Sequence, residues 1–208
     1  MGNIEPGPFS SALARFDAAN AEDPNRDSVD GTSWPKALLY AERMSTMLRR
    51  FAPQASEVLQ LAVRCQHIQR WKIPRSDYPM TRIGYLQWRK RLYKFHADVA
   101  AGILRDVGYD DETIGKVASL LKKENLKANP DAQALEDVIG LVFLESYLGD
   151  FVATHRDYES AKLADILRKT AKKMSIRGRV AALELIHVPS ELAPVVREAM
   201  RADASGGA

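Results

Sequence analysis

The fold class is decided by one long uninterrupted segment, TRIGYLQWRKRLYKFHADVAAGILRDV, which occupies residues 81–107. We predict that it forms one long helix, or two abutting helices, and that Gly108 ends the helical stretch. Leu92, His96 and Ala100 follow one another at intervals of four residues, so they share one helix face. This spacing places His96 near the buried side of the predicted helix.

Apolar residues recur at helical spacing on both sides of this segment, and no alternating strand pattern flanked by hairpin turns is found. Further helices are predicted over about residues 10–16, 35–51, 53–71, 110–121, 129–144, 158–173, 175–187 and 190–202. Residues 73–80 contain two prolines and are excluded from a helix interior, and residues 23–31 are predicted to form a loop. We therefore expect an all-α protein, with a flexible N-terminal segment carrying one short helix over 1–30 and a single helical domain over 31–204.

Composition excludes several classes of protein. The 208 residues include one cysteine, which excludes a disulfide framework and a cysteine-rich zinc site. No apolar run in the sequence approaches the length of a membrane span, and the N-terminus lacks the basic and apolar regions of a secretory signal. We therefore expect a cytoplasmic protein without a membrane partner.

Positive charge is concentrated in one window of the chain. The formal net charge is +3, whereas residues 70–94 are strongly basic and contain Asp77 as their single acidic residue. The basic residues of this window are Arg70, Lys72, Arg75, Arg82, Arg89, Lys90, Arg91 and Lys94, and the interleaved aromatic residues are Trp71, Tyr78, Tyr85, Trp88 and Tyr93. Guanidinium groups fork onto phosphate and aromatic faces stack on bases, which favours a site for a phosphorylated ligand.

The predicted phosphate-binding residues are Arg70, Arg75 and Arg82, and the further pocket candidates in this window are Trp71, Tyr78 and Tyr85. The alternative is a solvated basic face whose aromatic side chains lie in the core. A second basic set, Lys122, Lys123 and Lys127, either borders the same site or is simply exposed.

A metal site is the other chemical possibility, and its candidate ligands are His67, His96 and Asp137. Asp137 stands in the most apolar helix and shares a face with Glu145, and a carboxylate there needs a cation, a metal or several donors. Imidazole and carboxylate together suit zinc, manganese or iron. The alternatives are two core histidines held by hydrogen bonds, and a structural ion pair between Asp137 and Arg64 or Arg70.

Several sequence blocks carry a resemblance to a known family. They are LAVRCQHIQRW over 61–71, IPRSDYPM over 73–80, GYLQW over 84–88, FH over 95–96 and LEDV over 135–138. With these blocks the chain resembles the family catalogued as domain of unknown function 4202, from about Trp34 to the C-terminus. That family has no established activity, so the resemblance bears on the fold more than on the function.

A second resemblance is to the HD-domain phosphohydrolases, all-α proteins that bind metal through a His…His-Asp…Asp set. In that comparison Gln66 and His67 occupy the places of the His-Asp pair, His96 matches a later histidine, and Asp137 matches the final aspartate. The first histidine is missing, because the equivalent helix offers Tyr40, Glu42 and Arg43. The resemblance implies an HD-domain-like helical bundle with additional C-terminal helices and at most a mononuclear site, or a phosphate pocket without metal.

Three functions follow as expectations. The first is a divergent HD-like phosphohydrolase that acts on a phosphorylated small molecule or a nucleotide with one divalent ion (Zn, Mn or Fe), with Gln66 and Glu145 as further pocket candidates. The second is a non-catalytic helical module that binds a nucleotide or RNA through residues 70–94. The third is a protein-interaction domain, whose mark would be a large exposed apolar patch.

Overall fold

In a computed structural model the protein is mostly helical, which confirms the predicted all-α class. The structure describes residues 7–124, 128–155 and 160–201. The first five helices are α1 (Pro8–Ala21), α2 (Lys36–Phe51), α3 (Glu57–Cys65), α4 (Arg82–Asp106) and α5 (Asp111–Lys122). The others are α6 (Pro130–Ser146), α7 (Leu148–Thr154), α8 (Ser160–Ala171), α9 (Ile176–Glu184) and α10 (Ala193–Arg201).

The segment 81–107 forms one helix, α4, rather than two abutting ones. The Thr81 hydroxyl accepts a hydrogen bond from the Gly84 N–H at 3.1 Å and so satisfies one of the free donors of the first turn. Leu92 and His96 are buried along the same face, as their spacing predicts. The helix is followed by Gly108, whose φ of +92° lies in the left-handed region that glycine tolerates best.

A short hairpin corrects the prediction of a loop over 23–31 and of a chain without strands. Strands β1 (Arg26–Val29) and β2 (Thr32–Pro35) pair in antiparallel register. Their two-residue turn is Asp30-Gly31, with φ of 49° and 75°. Positive φ at both positions is the geometry of the type I′ turn, for which Asp-Gly is a preferred pair. This dipeptide was the sequence signal for the hairpin, and the strands are too short to show a clear alternation.

The chain divides into two compact units. The first comprises Met1–Ser45 and Ala55–Ala132, and the second comprises Thr46–Gln54 and Gln133–Ala208. Within the first unit α1 packs against α3 and α4, and its Phe16 is fully buried. The prediction of a single domain over 31–204 stays a prediction, as does a flexible segment over 1–30.

A buried arginine joins three helices of the first unit. The Arg64 guanidinium donates to the Asp17 carboxylate at 2.6 Å and also to Glu42, while its Nη1 lies 3.3 Å from the Ser45 hydroxyl. Arg64 lies on α3 and Asp17 on α1, while Glu42 and Ser45 both lie on α2. Burial alone lowers the pKa of Arg64, but its hydrogen bonds to Glu42 and Asp17 outweigh burial and raise that pKa.

Helix bounds elsewhere differ from the prediction at their ends. The first helix is longer than expected and covers Pro8–Ala21. Its earlier start at Pro8 is explained by the suitability of proline for a first helical turn. The predicted start of one helix at 158 and the predicted end of another at 202 lie outside the described residues, as does Lys127. Among the described helices, none combines the length and the apolar character needed to cross a membrane.

Candidate anion-binding site

His67 lies on the turn that follows α3, not inside the longer helix that the sequence predicts. The Ser56 hydroxyl accepts from the Leu59 N–H at 3.1 Å to begin α3, and the helix ends at Cys65. Gln69 then adopts a left-handed conformation with φ of 50°, and a short 3₁₀ turn follows over Arg70–Lys72. A second 3₁₀ turn covers Arg75–Asp77. Because His67 lies outside α3, the helical spacing of its sequence neighbours does not predict which side chains surround it.

The His67 ring stacks on an aromatic ring from α2. The ring centroids of Tyr40 and His67 are 4.3 Å apart and their planes are inclined by 22°. The Tyr40 hydroxyl donates to the Gln66 side-chain oxygen at 2.9 Å, which fixes the phenol ring next to the imidazole. Tyr40 lies on α2, the helix that offers Tyr40, Glu42 and Arg43 where the predicted HD resemblance lacks its first histidine.

A second imidazole lies beside the first. The ring centroids of His67 and His96 are 5.8 Å apart. His96 is 2% exposed, and its Nδ1 lies 2.8 Å from the Ile68 carbonyl oxygen, so Nδ1 carries the proton and donates. Its Nε2 is buried and has no hydrogen-bond partner among the described residues. Burial lowers the pKa of His96 to about 4; the hydrogen bond to Ile68 partly offsets this fall, and the positive charge of Arg70 adds to it.

Apart from the neighbouring His96 ring, the groups that act most strongly on the pKa of His67 are cations. Burial is the largest cause of a pKa well below the usual value, followed by Arg70, the His96 ring, Lys123 and Arg89. We call Arg70, Arg89 and Lys123 the cationic cluster. Neither Arg70 nor Arg89 forms an ion pair with a carboxylate in the described part of the chain. A neutral imidazole with cations around it is suited to an anion.

Aromatic rings hold the cationic cluster in place. The Arg70 guanidinium lies 4.7 Å from the centroid of the Trp88 ring, and the Trp88 indole N–H donates to the Ile73 carbonyl at 2.9 Å. Arg89 and Lys123 both face the Tyr93 ring, at 5.0 Å and 5.5 Å from its centroid. Cation–π contacts of this kind orient the charged groups without neutralising them.

The three arginines predicted to bind phosphate have three different positions. Arg70 belongs to the cationic cluster. Arg75 instead donates to the backbone carbonyls of Tyr78 at 2.9 Å and Pro79 at 2.8 Å, so its guanidinium shapes the loop. Arg82 is exposed on the first turn of α4. Arg70 and Arg75 both face the Trp88 ring, at 4.7 Å and 5.9 Å from its centroid, but of the three predicted arginines only Arg70 is among the charges that act on His67.

The remaining pocket candidates of the basic window are partly buried or exposed. Trp71 and Tyr78 are half-buried in the segment that joins α3 and α4. Tyr85 is 41% exposed, and its hydroxyl accepts from Arg89 at 3.1 Å. Tyr85 thus borders the cationic cluster, whereas Trp71 forms no side-chain hydrogen bond or ring contact with it among the described residues.

Asp137 belongs to the second unit, where it organises the start of α9. Its Oδ1 accepts from the Ser175 backbone N–H at 2.7 Å and its Oδ2 from the Ser175 hydroxyl at 2.6 Å. The Gln133 side-chain amide also donates to Oδ1 at 3.2 Å. Burial raises the pKa of Asp137, and the hydrogen bonds from Ser175 and Gln133 oppose that rise. These donors satisfy the carboxylate in the way that the sequence argument required, through a helix start rather than through Arg64 or Arg70.

Glu145 also has structural partners in the second unit. Its carboxylate pairs with Arg50 at 2.7 Å and accepts from the His187 backbone N–H at 3.1 Å. Among the described residues no three His, Cys, Asp or Glu side chains are grouped so that they could hold a metal ion. The metal site of His67, His96 and Asp137 stays a prediction, with the two histidines in the first unit and Asp137 in the second.

Sequence reasoning assigned no site role to Tyr40 or Arg89, and it left Lys123 as a residue that either borders the site or is simply exposed. Arg89 was one of eight basic residues in its window, and periodicity alone does not separate it from its neighbours. Lys123 follows α5 in a left-handed conformation with φ of 61°, a position at which a helix ends. The contact of Lys123 with Tyr93 depends on how α5 packs against α4, and the sequence alone does not predict that packing.

Together these observations define a mostly helical protein with a cationic, aromatic site in its first unit. The chain belongs to the family described as domain of unknown function (DUF4202), whose profile matches residues 10–196. No curated protein and no solved structure shows a significant match to the chain. The resemblance to HD-domain phosphohydrolases therefore stays a prediction.

Proposed function

We propose that the protein binds a nucleotide or another phosphorylated small molecule at the cationic cluster. The observation that carries this proposal is that Arg70, Arg89 and Lys123 each lie against an aromatic ring of α4 and that all three act as positive charges on the half-buried His67. A phosphate group would offset the charges of Arg70 and Arg89 and accept their hydrogen bonds, and it would also be attracted by Lys123. The stacked pair of Tyr40 and His67 offers a planar surface for a base.

The same charges argue against the predicted divalent metal ion. Two neutral imidazoles are reasonable ligands for zinc, manganese or iron, but three cations repel a divalent ion by the same Coulomb interaction that attracts phosphate. Asp137, the predicted third ligand, is engaged by Ser175 and Gln133. The donor set thus does not fit the ion, and no step of the proposed function uses one.

The test is isothermal titration with inorganic phosphate, AMP and ATP at low salt. In the wild type we expect binding that weakens as salt is added, since the attraction is electrostatic. Replacing Arg70→Met removes a charge-assisted hydrogen bond, whose contribution is about 1.5–3 kcal/mol, so Kd should rise roughly tenfold to hundredfold. Arg89→Met should act in the same direction.

The matched control is Arg105→Met. Arg105 lies on the same helix as Arg89, but its side chain is 62% exposed and its ion pair with Asp111 is long, at 3.6 Å. This variant should bind like the wild type. If the wild type binds none of the three probes, or if Arg70→Met binds them unchanged, the proposal fails.

Hydrolysis of the bound phosphate ester, the activity expected of a divergent HD-like phosphohydrolase, is a second candidate. The buried, unpartnered Nε2 of His96 favours it, because buried polar atoms without partners are rare and often functional. A phosphatase and phosphodiesterase panel, run with and without added Zn²⁺ or Mn²⁺, tests it. Turnover that is lost in His96→Gln would support hydrolysis, and a blank panel would leave binding alone.

A further inference from the structure

The start of α4 displays three large aliphatic side chains to solvent. Met80 is 82% exposed, Ile83 70% and Leu86 56%. We call these three residues the α4 tip. Ile83 and Leu86 are three residues apart and therefore share a helix face, and Met80 precedes Ile83 by the same interval. A cluster of exposed aliphatic side chains on a surface is typical of a contact site.

The loop beneath the α4 tip is built to hold it in one conformation. The Arg75 guanidinium donates to the carbonyls of Tyr78 and Pro79 at 2.9 Å and 2.8 Å. Gly84 passes so close to Pro79 that an added Cβ would lie 2.2 Å from the Pro79 carbonyl oxygen. The exposure of the tip is therefore maintained by specific backbone contacts and is not the fraying of a loose segment.

The stretch of chain that carries the α4 tip also carries exposed basic side chains. They are Lys72, which precedes the tip in sequence, and Arg82, Lys90 and Arg91 on α4 itself. None of the four forms an ion pair with another described residue. Asp77 is the single acidic residue between positions 70 and 94, so the surface around the tip is complementary to an anionic partner.

We propose that the α4 tip docks on the surface of an anionic phospholipid bilayer. The aliphatic side chains enter the boundary between headgroups and acyl chains, while the surrounding lysine and arginine side chains contact the acidic headgroups. Such a peripheral contact needs no membrane-spanning helix. It revises the expectation of no membrane partner, which rested on the lack of a span in the sequence.

Two other kinds of partner fit the tip less well. Single-stranded nucleic acid is held by stacking on planar side chains, whereas the most exposed residues of the tip are aliphatic. A stable protein interface buries roughly 800 Å² per partner, and three side chains projecting from one loop and helix turn supply little of that area. A bilayer, in contrast, accepts a small projecting apolar group with basic residues around it.

The test is co-sedimentation of the full chain with vesicles of phosphatidylcholine alone and of equal parts phosphatidylcholine and phosphatidylserine. Binding is expected for the mixed vesicles only, and it should fall as salt is raised. The double variant Lys90→Glu, Arg91→Glu should weaken vesicle binding at least about tenfold. Ile83→Asp should abolish it, and an acidic residue in the first turn of α4 is compatible with the helix.

The control for the charge reversal is Lys116→Glu, at an exposed position of α5 in the same unit, which should leave vesicle binding unchanged. Arg70→Met should also leave it unchanged, which separates this proposal from that of the phosphate site. Absence of binding to the mixed vesicles, or binding that Ile83→Asp does not alter, would overturn the proposal. So would tight binding of a single-stranded RNA oligomer in place of vesicles.

Discussion

His96 is a histidine that folding holds in its neutral form. Its side chain is buried, its Nδ1 donates to the Ile68 carbonyl, and its pKa falls from 6.5 to about 4 because burial disfavours the charged ring. The sequence identified His96 and His67 as residues near the buried side of their segments. It did not establish that the two rings are neighbours, because that depends on how the turn after α3 meets α4.

The lowered pKa of His96 makes stability depend on pH. Between pH 6.5 and 4 the unfolded chain binds this proton more readily than the folded chain, so its contribution to stability is complete above about pH 6.5 and is lost as pH falls toward 4. On its own, His96 should reduce the free energy of unfolding by about 2 kcal/mol at pH 5 relative to neutral pH. Urea unfolding at the two pH values measures this difference.

His96→Gln is the appropriate comparison, because its amide can still donate to the Ile68 carbonyl but does not titrate. Its unfolding free energy should change less between pH 7 and pH 5 than that of the wild type. An equal pH dependence in the two proteins would show that His96 is not the group responsible.

Asp137 is a buried carboxylate that accepts hydrogen bonds at the start of α9. The sequence argument that it needs several donors was sound, but the donors come from Ser175 and Gln133. The carboxylate also lies against Gly178, where an added Cβ would be 2.4 Å from Oδ1. A single methyl group should therefore disturb this helix start.

Gly178→Ala should destabilise the protein by about 1–3 kcal/mol, because the added methyl group overpacks the contact with Asp137. Gly102→Ala is the matched control: Gly102 lies within α4 with no atom within 4 Å of an added Cβ, so the change should stabilise by about 0.5–1 kcal/mol. Thermal unfolding of both variants gives the comparison. Equal shifts in the two would contradict the close packing at Gly178.

At the scale of elements, the sequence predicted the helices well and the short pieces poorly. The segment 81–107 yields α4 because a long amphipathic pattern outweighs any single residue. The hairpin of β1 and β2 was missed because its strands are four residues long and its main signal is the Asp30-Gly31 turn. The end of α3 at Cys65 was missed because helix ends depend on local backbone geometry rather than on periodicity.

The segment between α3 and α4 provides an element-scale prediction. Arg75→Lys keeps the charge but loses the planar fork that reaches both the Tyr78 and Pro79 carbonyls. Backbone amides around Met80 and Gly84 should then exchange hydrogen faster, while those in the middle of α4 stay protected. Hydrogen exchange followed by mass spectrometry measures both regions. Unchanged exchange around Met80 would mean that Arg75 does not hold the loop.

At the scale of the whole molecule, charge is distributed unevenly. A net charge of +3 averages a basic window over 70–94 with a more acidic remainder. Folding divides that window further, because Arg70 and Arg89 lie among aromatic rings near His67 whereas Lys72, Arg82, Lys90 and Arg91 remain exposed. The proposed ligand site and the proposed bilayer contact use these two sets separately.

Arg64 supplies a stability prediction for the first unit as a whole, because it connects α1, α2 and α3. Arg64→Met removes the guanidinium that pairs with both Asp17 and Glu42, and since both carboxylates are partly exposed the loss should be about 2–3 kcal/mol, below that of a fully buried pair. Urea unfolding of the full chain measures it. Arg105→Met, at an exposed arginine, should cost under about 1 kcal/mol, and equal losses in the two would contradict the role of Arg64.

The sequence by itself determined the helical class, the position of α4, the exclusion of residues 73–80 from a helix interior, and the residues in which chemistry was to be sought. These features are local, since helix periodicity, proline and charge density act over a few neighbouring residues. The tertiary structure alone decided that Tyr40, His67 and His96 are adjacent, that Arg75 shapes a loop, and that Asp137 holds Ser175, the N-cap of α9. These are contacts between residues far apart in the chain, and their energies depend on packing that no short stretch of sequence contains.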